Sequence, residues 1–237
     1  MKRFFVLHWL APCALMIIAS GLLQIVDFDL WFADHIYAYQ GYNWRLKESW
    51  LLETLIHKGG RTLTATMIVA TLATWIASGY LRHLKRYQRG LGYLLLSMLC
   101  SLLIVSYLKS VTHISCPWDT VRYGGNQLYI PLMADIFGDG TGRCFPAGHA
   151  SGGYTWIAAY FFCRRYCPQW QGLALSFGLG LGLVYGISQQ FRGAHFISHD
   201  LWTLTICWYT ALVIYQYLPY QKPSPLLQSQ RQSAKFS

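Results

Sequence analysis

The sequence is short of charge. Asp, Glu, Lys and Arg make up 12% of its 237 residues, about half the share of an ordinary soluble domain. Acid is scarcer than base, with 9 Asp and Glu against 19 Lys and Arg. With 54% hydrophobic residues and a positive mean hydropathy, this excludes a typical soluble fold and makes a membrane protein the first class to test. The paired cysteine spacing of a zinc site is also missing. The 7 cysteines, Cys13, Cys100, Cys116, Cys144, Cys163, Cys167 and Cys207, are scattered. No metal and no cofactor are expected. No internal repeat and no inter-domain linker interrupts the chain, so residues 1–221 read as one integral domain. The Pro-, Ser- and Gln-rich stretch 222–237 reads as a disordered cytoplasmic tail. No small-residue cleavage site closes the first apolar run behind Lys2 and Arg3, so that run reads as a retained helix and not as a leader.

What is present is a series of long apolar runs. Crossing the hydrocarbon core takes roughly 20 apolar residues as a helix, because every backbone N–H and C=O must be satisfied within the segment. Six runs are candidates: 4–26, 62–81, 90–108, about 149–163, 172–187 and 201–218. The expected fold class is therefore all-α, a polytopic bundle of six transmembrane helices. The fourth and fifth runs are short, and Gly178, Gly180, Gly182 and Gly186 in the fifth suit close helix packing more than contact with lipid.

The charges orient the bundle. If the amino terminus lies inside, the short inner segments contain Lys2, Arg3, Arg82, Lys85, Arg86, Arg89, Arg164, Arg165 and the basic residues of the tail. That density follows the positive-inside rule and places both termini in the cytoplasm. The acids all fall in the outer segments or at their edges. The net charge of +10 then comes from topogenic loops that also sit well on anionic headgroups, and no nucleic-acid partner is needed to explain it. No obligatory protein partner is inferred. The expected location is a bacterial inner membrane. Cys116 and Cys144 share one outer loop, where an oxidising periplasm would let them pair. Residues 27–61, rich in Trp and Tyr, suit either an amphipathic helix lying in the interface or a simple aromatic belt.

Polar chemistry gathers at the outer ends of the runs. One cluster is Lys109-Ser-Val-Thr-His113-Ile-Ser-Cys116-Pro117-Trp118-Asp119. A second is Arg143-Cys-Phe-Pro146-Ala147-Gly148-His149, and a third is Arg192-Gly193-Ala194-His195-Phe-Ile-Ser198-His199-Asp200. A lone lysine or arginine at a helix end ordinarily snorkels to the headgroups, and a single interfacial histidine is unremarkable by itself. Here ionisable residues, costly near membrane segments, coincide on one side in three clusters. Phosphoryl transfer needs cations and N–H donors around the phosphate, an in-line nucleophile and an acid for the departing oxygen. Lys109, Arg143 and Arg192 can supply charge, His195 and His149 a nucleophile and an acid, and the first-turn N–H groups near Gly148 can face an anion.

In order and spacing these segments resemble the type 2 phosphatidic acid phosphatase superfamily. Its members carry a Lys followed after six residues by Arg-Pro, then Pro-Ser-Gly-His, then Ser-Arg with a His six residues after the Arg and an Asp four beyond it. The counterparts here are Lys109 with Cys116-Pro117, Pro146-Ala147-Gly148-His149, and Ser188-Gln189 with His195. The match spans roughly residues 60–218. The resemblance implies that His195 is the nucleophile forming a phosphohistidine, that His149 protonates the leaving alkoxide and that Lys109 binds phosphate. Four residues depart from the pattern, the fourth being His199 where the pattern has Asp. Cys116 stands for Arg, Ala147 for Ser and Gln189 for Arg. Arg192 and Arg143 are the candidates for relocated charge. Four residues after His195 stands His199, with Asp200 next. Either could accept the imidazole N–H, and Asp200 is favoured because a carboxylate also stabilises an imidazolium.

The expected function is a metal-independent phosphatase of a membrane lipid, either phosphatidic acid, phosphatidylglycerol phosphate, a polyprenyl phosphate or diphosphate, or lipid A. Two alternatives use the same scaffold: a lipid phosphotransferase, and a non-catalytic lipid-binding or scramblase relative for which Cys116 and Ala147 speak.

Overall fold

The computed structural model describes residues 2–132 and 141–217, and among them every regular element is helical, with no strand. In chain order the longer helices are α1 (Lys2–Ile25), α2 (Phe28–Tyr39), α3 (Trp50–Tyr80), α4 (Lys85–Val111), α5 (148–166), α6 (Pro168–Phe191) and α7 (Ile197–Tyr217). Residues 222–237 lie outside the described residues.

The helix boundaries have local causes. Asp27, left-handed at φ 46°, breaks the chain between α1 and α2. The Ser49 hydroxyl accepts from the Leu52 N–H at 3.3 Å and caps α3. Pro168 opens α6, where its missing N–H costs nothing. The first ten residues of α3, Trp50–Gly59, wind as a π-helix before the regular α-helix from Gly60. The helix of the second apolar run therefore begins 12 residues earlier than the run 62–81 by itself predicts. A hydropathy window stops at Lys58 and Arg61, whereas the helical backbone does not.

By length and apolarity, α1, α3, α4 and α6 can cross a membrane. The other two expected spans are present as the helices α5 and α7, but they do not reach that apolarity. Their positions in the bundle explain why. Ala150, Ile157, Ala158 and Phe161 of α5 are wholly buried, and so is Leu212 of α7. Polar Ser151, Thr155 and Thr203 are buried with them. A helix shielded by its neighbours does not need the lipid-grade surface that an outer helix does. The outer faces show the opposite character, with Leu15 68% and Ile25 81% exposed. Polar groups inside and large aliphatics outside is the distribution expected of a bundle solvated by lipid.

Packing holds the centre together. α5 packs most extensively on α6, and α4 on α7. At Gly178 a Cβ would lie 2.6 Å from the Ile157 nitrogen, so only glycine lets α6 approach α5 this closely. The Tyr93 hydroxyl donates to the Ala211 carbonyl at 3.0 Å and ties α4 to α7. The aromatic segment 27–61 divides its residues. Ala33, Ile36 and Trp44 form a cluster with Tyr123 and Phe196 over one end of the bundle, while Tyr39, Tyr42 and Trp50 stay exposed.

Candidate active site

All three polar clusters arrive at that same end, because α4 ends there, α5 starts there, α6 ends there and α7 starts there. After Lys109 in its last turn, α4 stops at Val111 and the chain runs extended from Thr112. The Thr112 hydroxyl donates to the Phe145 carbonyl at 2.5 Å, and the Cys144 N–H donates to the Ile114 carbonyl at 2.9 Å. Cys116 and Cys144 are joined by a disulfide. These links sew the segment leaving α4 to the segment entering α5. His149 is thereby fixed one residue inside the first turn, after the cis peptide Phe145–Pro146 and the extended Ala147.

The third cluster turns on Gly193. With φ at +74°, and with the Trp44 ring where a Cβ would stand, this position requires glycine. The turn is closed by Gly193 N–H to the Gln190 carbonyl at 2.9 Å and Ala194 N–H to the Gln189 carbonyl at 2.8 Å. The Trp118 N–H donates to the Gly193 carbonyl at 3.0 Å, linking the first cluster to the third. α7 then starts under a cap supplied by a distant residue. Asp29 of α2 accepts from the Ser198 N–H at 2.9 Å and from its hydroxyl at 2.5 Å.

These constraints bring His195 and His199 together, Nδ1 to Nδ1 at 3.5 Å, with the backbone of Cys144 beside both rings. His195 is 6% exposed. Burial pushes its pKa well below the usual histidine value, and the neighbouring Lys109 ammonium lowers it further, so the ring is held neutral. His149 also lies within electrostatic range of His195. The His149 ring stacks on Tyr185 at 4.5 Å between centroids and meets His57 edge-on at 4.6 Å. Its Nε2 is buried without a partner. Lys109 forms no hydrogen bond or ion pair with the described residues, and its Nζ lies 3.6 Å from where a Cβ on Gly148 would be. The unpaired ammonium thus stands beside the helix start at Gly148, one residue before His149 with its unpaired imidazole nitrogen.

The remaining predicted residues are placed differently. Arg192 is buried, with its Nε donating to the Lys47 carbonyl at 2.8 Å, Nη1 to Gln189 Oε1 at 2.9 Å, and Nη2 paired with Glu53. Asp200 is not hydrogen-bonded to His195. One of its oxygens accepts from Gln190, and the other is buried without a partner. Arg143 is exposed and makes no hydrogen bond or ion pair among the described residues. Cys116, Asp119 and Cys144 are the metal-type ligands that approach one another among the described residues, but the two sulfurs are bonded to each other, which removes them as thiolate ligands.

Sequence reasoning missed Glu53 and His57. Glu53 accepts from His57 Nδ1 at 3.0 Å, lies 3.3 Å from Lys58 Nζ and pairs with Arg192. Their spacing of four residues is a helical signal, but it is legible only once α3 is known to begin at Trp50. Asp29 had no signal at all, since its partner Ser198 lies 169 residues away.

The described residues define an all-helical fold, with several helices long and apolar enough to cross a membrane and a histidine-rich polar cluster at one end. Residues 90–223, more than half of the chain, match the PAP2 superfamily, and the chain belongs to that superfamily. Membership makes phosphatase-type chemistry its activity class. No curated protein and no solved structure matches the chain.

Proposed function

We propose that this protein is a membrane lipid phosphatase working through a phosphohistidine on His195. The observation that carries the reading is the convergence of His195, His199, His149 and Lys109, from three helix ends and one turn, with His195 held neutral and His149 Nε2 unpaired. A ring nitrogen of His195 attacks phosphorus and the bond to the leaving oxygen breaks. His149 delivers its proton to that oxygen. Water then attacks the phosphohistidine, giving a proton back to His149, and inorganic phosphate leaves. Lys109 and the first-turn N–H groups at Gly148 hold the phosphate oxygens.

Arg192 is a second cation for the phosphate. Its contact with Gln189 puts it beside the position where the superfamily pattern has Arg, which supports a relocated charge. The imidazole of His195 is steadied by His199 and flanked by the backbone of Cys144, while Asp200, bonded to Gln190, supports the start of α7. Arg143, exposed at the loop edge, meets the approaching headgroup. The reading places six spans in a bacterial inner membrane, α5 and α7 included, with both ends of the chain cytoplasmic and the site periplasmic. The disulfide beside the site accords with an oxidising compartment. The exposed Leu and Ile of the outer helices give a lipid substrate a lateral approach.

The test is phosphate release by detergent-purified protein from a panel of lipid phosphates in the presence of EDTA, for wild type and His195→Ala. Release by wild type that the mutant lacks is the expected result. A folded wild type that releases nothing but passes phosphate to a second lipid would establish transfer. A folded protein that does neither would overturn the catalytic reading in favour of lipid binding.

A further inference from the structure

The pair Glu53 and His57 lies outside the matched region 90–223, yet it reaches into the site. The π-helical start of α3 carries both residues on one face, and the ring of His57 meets that of His149 edge-on at 4.6 Å between centroids. The backbone of Ile56 lies beside the same His149 ring, so the stretch of α3 that carries His57 borders His149. Behind His57 stands Glu53, which accepts from its Nδ1 at 3.0 Å and pairs with the buried guanidinium of Arg192. The carboxylate thus joins two parts of the site that the chain itself supplies from opposite ends of α5 and α6.

We propose that His57, oriented by Glu53, is a positioning residue that aims the His149 ring at the leaving oxygen. The inference rests on the phosphatase reading above and deepens it. A ring approached only by Tyr185 could slide in its plane. The perpendicular His57 edge blocks that motion, and Glu53 prevents His57 from turning away. Because His57 acts through the acid, its loss matters in proportion to how much the leaving group needs a proton. An alkoxide needs one at departure. A nitrophenolate does not.

The experiment compares wild type, His57→Ala and His57→Gln of the full chain in detergent on two substrates, the lipid phosphate that wild type turns over fastest and 4-nitrophenyl phosphate. For the lipid ester, kcat in His57→Ala is expected to fall about 10- to 100-fold, part of the roughly 100- to 10,000-fold that a general acid contributes, while KM stays within about threefold. For the aryl ester the fall should be under about threefold. His57→Gln keeps a donor to Glu53 and most of the volume, and should show the same dependence on leaving group with a smaller loss. Imidazole 15N spectra supply a readout independent of turnover, in which His57→Ala shifts the His149 ring signals and leaves those of His195 in place. Equal losses on both esters, or unmoved His149 signals, would overturn the positioning role alone. An inactive but folded wild type whose His149 signals still respond to His57→Ala would leave the contact intact and overturn its catalytic purpose together with the phosphatase reading.

Discussion

Arg192 donates through Nη1 to Oε1 of Gln189 at 2.9 Å, so the side chain standing where the PAP2 pattern has arginine is itself bonded to an arginine three residues on. One turn of α6 and its cap place the two side chains together, and a guanidinium needs only that displacement to serve the same anion. Glu53 balances its charge in the meantime.

If Arg192 is the relocated cation, Arg192→Gln should raise KM for the lipid phosphate about tenfold or more, the worth of a charge-assisted hydrogen bond. The double variant Gln189→Arg with Arg192→Gln should recover part of that loss, because it returns the guanidinium to the pattern position. Steady-state kinetics on the three proteins measures both effects. A double variant no better than Arg192→Gln would mean that the cation is needed at residue 192 itself.

The disulfide Cys116–Cys144 fixes the backbone at Cys144, which lies beside His195 and His199. Cys116→Ser should therefore lower stability by about 2–4 kcal/mol, as loss of a native cross-link commonly does, and lower kcat more than KM. Reductant should act on wild type in the same direction and leave Cys116→Ser unchanged. Thermal unfolding and turnover with and without reductant decide this, and mass spectrometry finding both thiols free in oxidised protein would remove its basis.

Burial lowers the His195 pKa, and the sign of its effect on stability follows. The unfolded chain takes up a proton near pH 6.5 and the folded ring does not, so the unfolded state binds more protons as pH falls below 6.5. Stability from this group is present above pH 6.5 and lost progressively below it. His195→Gln should flatten that part of the pH dependence. Unfolding temperatures of both proteins at pH 5 and pH 7.5 test it, and equal acid sensitivity would mean that other buried histidines carry the effect.

Much of the molecule was legible from one-dimensional pattern. Long apolar runs oblige helices, because no other local structure satisfies the backbone without water, and among the described residues each of the six runs is helical apart from its last residue or so. Polar residues at the ends of those runs singled out His149, His195, His199 and Lys109 as candidates, and helices that alternate in direction bring alternate ends together. The shared loop of Cys116 and Cys144 also indicated their bond. Hydropathy could not tell a lipid-facing helix from a shielded one, and α5 and α7 fall below the apolarity of a free span because their polar residues turn inward.

Contacts between remote segments were decided by the tertiary structure. Asp200 turned to Gln190 and not to His195, since one residue along a helix is a rotation of about 100° and spacing by itself does not say which side chain faces the turn before it. Glu53 and His57 entered the site because α3 starts 12 residues before its apolar run. The sequence by itself determined the helices, the end at which chemistry gathers and the residue types available there, because these depend on short-range burial and hydrogen bonding. Which carboxylate meets which histidine or arginine depends on helix rotation and packing distance, and only the folded bundle sets those.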